Sequence, residues 1–290
     1  MGRARMPSGE PASVFAPDAS SSQRSAVPNT DRPVGSFEPV GSLEKASLPA
    51  GAEKRRAVRQ MFDTIAGHYD VLNRVNSLGM DRYWRRRCVD ALDLPAGSLV
   101  LDVACGTGDL CDELARRHMQ PVGLDLSSGM LAQARRRRAG GDGGRLGSSG
   151  AAPLVLGDAL TAPFRPASFD GTVSAFALRN VVDLSELFGE LAHLVRPAGR
   201  VSLLDLGKPE GRLLGFGHGL WTKHAVPFVG SLFSDGDAYR YLPKSLAYLP
   251  APEQVVGLLE DAGWKAVERL LLAGGTSQVY VATRAGRPQA

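Results

Sequence analysis

The chain holds only three cysteines in 290 residues, Cys88, Cys105 and Cys111, with no C-x-x-C pair and no histidine at metal-ligand spacing. A structural zinc is therefore not expected, and an odd, low count fits a reducing compartment better than a disulfide framework. No run of eighteen uncharged apolar residues occurs, so no transmembrane helix is expected. Charge of one sign is scarcely in excess: 34 Lys and Arg against 30 Asp and Glu leave a formal net charge of +4. Much of that surplus lies in Arg85–Arg87 and Arg135–Arg138, which read as solvated helix faces. Aromatics are 7% of the residues and do not interleave with the basic runs, so no nucleic-acid surface is expected. With 43% hydrophobic residues, the length permits one large α/β domain or two small ones.

Residues 1–50 lack aliphatic clustering and are rich in Ser, Pro, Ala and Gly. Such a stretch cannot bury enough apolar area to offset its ordering entropy, so it reads as a disordered extension to a domain at 51–290. It has no signal-peptide apolar core, and Glu10, Asp18 and Asp31 sit poorly in a transit peptide.

The organising stretch is Leu99 to Leu110. Leu99-Val100-Leu101 has the composition of a buried parallel strand. The chain then turns at Gly106-Thr107-Gly108, and Leu110, Leu114 and Ala115 follow at helical spacing. Glycines let a ligand approach the backbone with no Cβ in the way, and the helix start offers unpaired N–H groups. The next strand, Gln120 to Leu126, places Asp125 at its carboxyl end, 17 residues beyond Gly108. In a doubly wound sheet such a carboxylate can accept bonds from two ribose hydroxyls. Cys111 stands where a dinucleotide fingerprint has its third glycine, which argues against a nicotinamide enzyme. Asp102 would sit badly beside a pyrophosphate and suits a ligand with a positive end, such as the amino group of S-adenosylmethionine (SAM). The plain alternative is an ordinary strand-turn-helix capped by Asp109. D-x-A-x-G-T-G with a second-strand acid resembles the SAM-binding motif of class I methyltransferases.

Upstream, Val58, Met61, Phe62 and Ile65 make an apolar helical stripe, and a second helix starts at Asp81 with Trp84, Cys88 and Leu92 on one side. These helices should cap the cleft. Downstream, Ser127 or Ser128 caps a helix, and Gly140–Gly150 reads as a flexible surface loop. A short third strand, Pro153 to Gly157, precedes Asp158-Ala159, where an acid can bond an exocyclic adenine amine or simply form a turn. A fourth strand, Phe169 to Phe176, ends in Ala177-Leu178-Arg179-Asn180-Val181. Helix 183–195, a turn at Pro197-Ala198-Gly199 and a fifth strand, Val201 to Leu206, follow. The segment 211–233 is apolar and aromatic; it reads either as a core helix with its connection or as a lid touching a membrane surface. Helix 252–262 and strands 264–272 and 277–283 should close the sheet with an antiparallel hairpin.

Four segments resemble the C-methyltransferases of menaquinone and ubiquinone biosynthesis: Met61 to Asp70, Asp102 to Leu110, Phe176 to Val181, and Asp237 to Pro243. The third, F-A-L-R-N-V, is a signature of that family. The chain departs from the family pattern at Asp81, Asp205, Pro197-Ala198-Gly199 and Leu271 to Gly275. The resemblance implies an α/β, Rossmann-like class I methyltransferase fold: a seven-stranded, mostly parallel sheet with helices on both faces and N-terminal cap helices. It implies SAM as co-substrate, no metal, and a polyprenylated quinol as acceptor. Its SAM contacts carry over to Thr107, Asp125, Asp158 and Ala159, joined by Asp102, Gly106 and Gly108 of the turn. The serine often found before the signature phenylalanine is Ala175 here, so that contact falls to the backbone.

On this reading Arg179 stabilises a developing phenolate, Asn180 and Tyr69 orient it, and a water can serve as base. His68 and His224 are further candidate bases, though a lone histidine is more often a packing residue. The expected reaction is methylation of demethylmenaquinol, with the benzoquinol of ubiquinone synthesis or another aromatic or lipid metabolite as alternatives. A non-catalytic subunit of this fold is the reading from another class; the set Thr107, Asp125 and Arg179 argues against it. A nucleic-acid amino-methyltransferase is disfavoured because the chain has no Pro-Pro dipeptide. The expected place is the cytoplasm, with peripheral contact to the inner membrane face through 213–233, and the reading leaves room for a homodimer.

Overall fold

The computed structural model describes residues 51–139, 152–207 and 250–286. The expectations for 1–50, for the 140–150 loop, for 211–233 with His224, and for Asp237 to Pro243 lie outside them.

Three helices come first: α1 (Gly51–Ile65), α2 (Tyr69–Asn76) and α3 (Asp81–Leu92). Strand and helix then alternate through β1 (Leu99–Val103), α4 (Asp109–Arg116), β2 (Gln120–Asp125), α5 (Ser128–Ala139), β3 (Leu154–Leu156), β4 (Phe169–Ala175), α6 (Leu184–Leu194) and β5 (Val195–Leu206). The last described elements are α7 (Pro252–Asp261), β6 (Trp264–Leu272) and β7 (Ser277–Arg284). The seven strands form one sheet in the order β3-β2-β1-β4-β5-β7-β6. Strands β1 to β5 run parallel, and β7 lies antiparallel between β5 and β6. The expected terminal hairpin is thus present.

Period-two alternation splits the sheet between two cores. Leu101 and Val103 join Phe188, Leu191, Val255, Leu259 and Trp264 on the face covered by α6 and α7. Val100 and Val173 join Val89, Leu92, Leu110 and Leu114 on the face covered by α3 and α4. Buried Trp264 donates its indole N–H to the Phe188 carbonyl at 3.1 Å, so the largest side chain in the core is also satisfied. Strand order reverses between β1 and β4, and in such sheets a crevice opens at the carboxyl ends of those strands.

Three local features refine the expectations. The β5 strand begins at Val195, before the Pro197-Ala198-Gly199 turn: Val195 pairs with Phe169, and pairing resumes at Arg200 with Gly171. The turn bulges out between them, and a Cβ on Gly199 would lie 2.5 Å from the Asp170 carbonyl oxygen, so only glycine fits. The α1 stripe is half-buried, and Val58 and Phe62 line a cavity. Helix α3 packs on the sheet as well as capping it: Trp84 and Cys88 sit against Leu204 and Val279.

The basic runs are not uniformly solvated either. Arg86, Arg87, Arg135 and Arg136 are exposed, whereas Arg85 is buried and Arg137 and Arg138 are half-buried. Composition gave no reason to separate them; the neighbours brought up by folding do.

Candidate active site

The glycine turn is held from both sides. Gly106 (φ +55°) donates its N–H to Asp125 Oδ2 at 2.7 Å, and Ser127 N–H donates to Asp125 Oδ1 at 2.8 Å. Asp125 therefore braces the turn and still has acceptor capacity for a ligand. Burial pushes its carboxyl above the usual range, against the pull of those backbone donors. Gly108, at φ +89°, is the residue before α4, and its Cα faces the Arg138 guanidinium.

Asp102 lies at the end of β1, 1% exposed. Its Oδ2 accepts from Cys111 N–H at 3.1 Å and from the Cys111 thiol at 3.3 Å. Its Oδ1 is buried and accepts no hydrogen bond from the described residues. Burial raises this carboxyl to about 7. A buried acceptor without a donor costs free energy, and here it points to a ligand's donor.

Two adjoining spaces open along these residues. The larger, an open cavity of about 810 Å³, is lined by Val58, Phe62, Tyr69, Gly106, Asp125, Met130, Asp158, Ala159, Ala175 and Asn180 among others. The smaller, of about 290 Å³, is lined by Arg85, Asp102, Cys105, Thr107 and Asp109, and shares Tyr69, Ala104, Gly106 and Ala175 with the larger. The small side chains at the join leave room for one ligand to span both. The residues fit an adenosyl amino acid: acids at Asp125 and Asp158 along the larger space, an orphaned acid at Asp102 in the smaller.

The expected site residues gather here, apart from Gly108 and Arg179, which line neither space. Thr107 is occupied: its hydroxyl donates to Asp70 Oδ1 at 2.6 Å and accepts from Arg137 Nη1 at 3.0 Å. Asp158 pairs with Arg55 at 3.0 Å and accepts the Leu160 N–H at 3.0 Å, so it forms the turn and faces the cavity at once. Tyr69 packs edge-on against Phe62, ring centroids 5.9 Å apart. Burial raises its phenol, with Asn73, Arg85 and Arg179 opposing, so it is neutral near pH 7 and serves as a hydrogen-bonding group. Asn180 donates to the Phe176 carbonyl at 3.3 Å. Arg179 is buried and paired with Asp205, and its Nε has no acceptor among the described residues. His68 is exposed at the start of α2.

Four contributors escaped sequence reasoning. Arg85 walls the smaller space, pairing through Nη1 with Asp81 and reaching Asp109 at 3.4 Å. The i,i+4 spacing from Asp81 was the available signal. Arg137 bridges Asp109 at 2.8 Å and Asp70 at 3.3 Å. Burial pushes the Asp109 carboxyl up, but Arg85 and Arg137 outweigh it and hold the group below the usual range. Asp63 of α1 accepts from Ser127 Oγ at 2.6 Å and Gly129 N–H at 2.9 Å, which ties α1 to the start of α5. Lys54 donates to the Val181 carbonyl at 2.7 Å and ties the same helix to the segment after Asn180.

Among the described residues no group of three or more His, Cys, Asp or Glu could hold a metal ion. No described helix is long and apolar enough to cross a membrane.

Known proteins share both sequence and fold with this chain. The model of the ubiE/COQ5 methyltransferase family matches residues 50–284. A demethylmenaquinone methyltransferase of Thermobifida fusca is 38% identical over 234 residues, 79% of this chain and 95% of that protein. Another, of Mycolicibacterium vanbaalenii, is 37% identical over 244 residues, 84% of this chain and all of that protein. Among solved structures, a SAM-dependent methyltransferase of Thermotoga maritima superposes with a TM-score of 0.54 at 16% identity, covering 78% of this chain and 99% of that one. At that identity the likeness is one of fold. The sequence matches carry more, and by them the chain belongs to the ubiE/COQ5 methyltransferase family.

Proposed function

We propose that this protein transfers a methyl group from SAM to a ring carbon of a prenylated quinol, with demethylmenaquinol as the acceptor. The observation that carries the reading is the orphaned acid Asp102 lining a space that shares Ala104, Gly106 and Ala175 with a larger, mostly apolar cavity lined by Asp125, Asp158 and Asn180. The family membership and the names of its relatives support the same reaction. The benzoquinol acceptor of ubiquinone synthesis is the less favoured alternative.

SAM, when bound, supplies a methyl group activated by its sulfonium. Asp102 takes the ammonium, Asp125 the ribose hydroxyls, and Asp158 with the Ala159 backbone the adenine edge. Gly106, Thr107 and Gly108 shape the turn against it, and the Ala175 backbone closes the wall at the end of β4. Val58, Phe62 and Val181 keep water from the acceptor. Tyr69 and Asn180 orient the acceptor's phenol, which gives its proton to a water acting as base; the ring carbon forms its bond to the methyl as the methyl–sulfur bond breaks, and the ring C–H proton then leaves to water, restoring the aromatic ring. Arg179 stands behind Phe176 of the cavity wall, its Cζ 5.9 Å from that ring's centroid, and lends the phenolate oxygen its charge from there. The chain's task is to hold carbon and methyl in line at about 3–3.5 Å.

A prenylated acceptor resides in a bilayer, so the protein works in the cytoplasm with peripheral contact at the inner membrane face through 213–233. Residues 51–290 form the methyltransferase domain, and removal of 1–50 leaves activity unchanged.

The test is transfer of labelled methyl from SAM to reduced demethylmenaquinone, run beside a reduced ubiquinone precursor. Label on the naphthoquinol supports the proposal. Label on the benzoquinol alone corrects the acceptor. Label on neither, with SAM still bound, overturns it.

A further inference from the structure

We infer that Arg85 is the cation that holds the carboxylate at the amino-acid end of SAM. The inference rests on the methyl-donor reading above and extends it by giving the smaller cavity a second anchoring residue.

Asp125 and Asp102 set the polarity of the ligand, ribose toward the first and ammonium toward the second. An α-amino acid carries its ammonium and carboxylate on one carbon. Both partners must therefore face the same small space, and Asp102 and Arg85 both line it. Arg85 is the only cation among the described residues lining that space. The other donors nearby are committed: the Thr107 hydroxyl to Asp70, and the Gly106 N–H to Asp125.

The charges around the cavity can be followed one by one. Asp81 answers Arg85 from behind, Nη1 to Oδ2 at 2.5 Å. Asp109 is drawn to Arg137 at 2.8 Å and stands 3.4 Å from Arg85 Nη2. Asp102 Oδ1 has no donor among the described residues. A zwitterion entering here supplies the missing donor to Asp102 and brings its own anion. That anion leaves water only if it meets a fixed cation. The Arg85 guanidinium is fixed: it is 7% exposed, held by Asp81, and its Cζ lies 5.2 Å from the centroid of the Phe176 ring. A guanidinium held in place beforehand spends little side-chain entropy on binding.

The test compares SAM with decarboxylated SAM, which lacks only the carboxylate, by calorimetric titration of the full chain. The wild type is expected to bind SAM more tightly by about tenfold or more, the scale of a charge-assisted bond. Arg85→Met is expected to erase that preference by weakening SAM while leaving the decarboxylated ligand nearly unchanged. Arg85→Lys keeps the charge and most of the preference. Arg85→Met leaves Asp81 buried and unpaired, so the pair is also removed together in Asp81→Asn with Arg85→Met, where the same loss is expected. A preference that survives in the paired variant overturns the assignment to Arg85. A wild type that binds both ligands equally also overturns it and leaves the methyl-donor reading standing. A wild type that binds neither overturns both.

Discussion

Arg179 and Asp205 form a buried ion pair, with Nη1 2.5 Å from Oδ1 and Asp205 wholly inside the protein. The two residues come from different segments: Arg179 from a 3₁₀ turn after β4, Asp205 from near the end of β5. Asp205 also accepts the Leu206 N–H at 2.7 Å, so its position is set by its own strand, and it sets Arg179 in turn. Truncating Arg179 leaves an uncompensated buried carboxylate, which costs about 3–5 kcal/mol. Arg179→Ala is expected to melt earlier and, assayed well below its melting temperature, to turn over at least about tenfold more slowly with SAM binding intact. Unchanged turnover would remove Arg179 from the mechanism.

The Asp102 carboxyl, raised by burial to about 7, makes two opposite pH predictions. In the free protein it keeps a proton that the unfolded chain loses near pH 4. Its contribution to stability is therefore full below about pH 4 and is lost as the pH rises through about 7. Affinity for SAM runs the other way, since the ammonium requires the carboxylate. Dissociation constants measured from about pH 5.5 to 8.5 should tighten by up to about tenfold per unit at the acid end and level off above pH 7. Asp102→Asn should bind weakly with no such slope. A wild-type affinity indifferent to pH would count against an Asp102 contact.

Gly123 sits in β2 directly beneath the turn. A Cβ there would fall 2.8 Å from both Cys105 Sγ and Leu154 Cδ2. Gly123→Ala is expected to lose about 1–3 kcal/mol through overpacking, read from the denaturant midpoint. Because Cys105 adjoins Gly106, SAM affinity should fall with it.

Asp63→Ala removes an acceptor from both Ser127 and Gly129 at the start of α5. The expected loss is about 0.5–2 kcal/mol, the range of a helix N-cap. SAM affinity should also weaken, because α1 carries Arg55, Val58 and Phe62 to the cavity wall. Chemical denaturation and ligand titration of the same variant measure the two effects separately.

The glycine turn, the strand before it and the acid at the end of the next strand were legible without coordinates, because each depends on neighbours within a few residues. Period-two and helical spacing likewise placed most helices and strands close to where they lie. The start of β5 was not legible, since Val195 pairs with Phe169 across the sheet while the intervening P-A-G reads locally as a turn. The basic runs show the same limit more sharply. Arg85, Arg86 and Arg87 are identical in type and adjacent in the chain, yet only Arg85 turns inward beside Trp84 to meet Asp109 and Phe176.

The sequence by itself determined the order of the elements and the chemistry at the strand ends, since hydrophobic periodicity, glycine torsional freedom and residue type are local quantities. Only the tertiary structure decided which charges lost their water. The protonation of Asp102, the pairing of Arg179 with Asp205, the bracing of Thr107 by Asp70 and Arg137, and the inward turn of Arg85 all depend on groups far away in the chain. Burial and Coulomb energy are set by distance in space, and the fold alone fixes that distance.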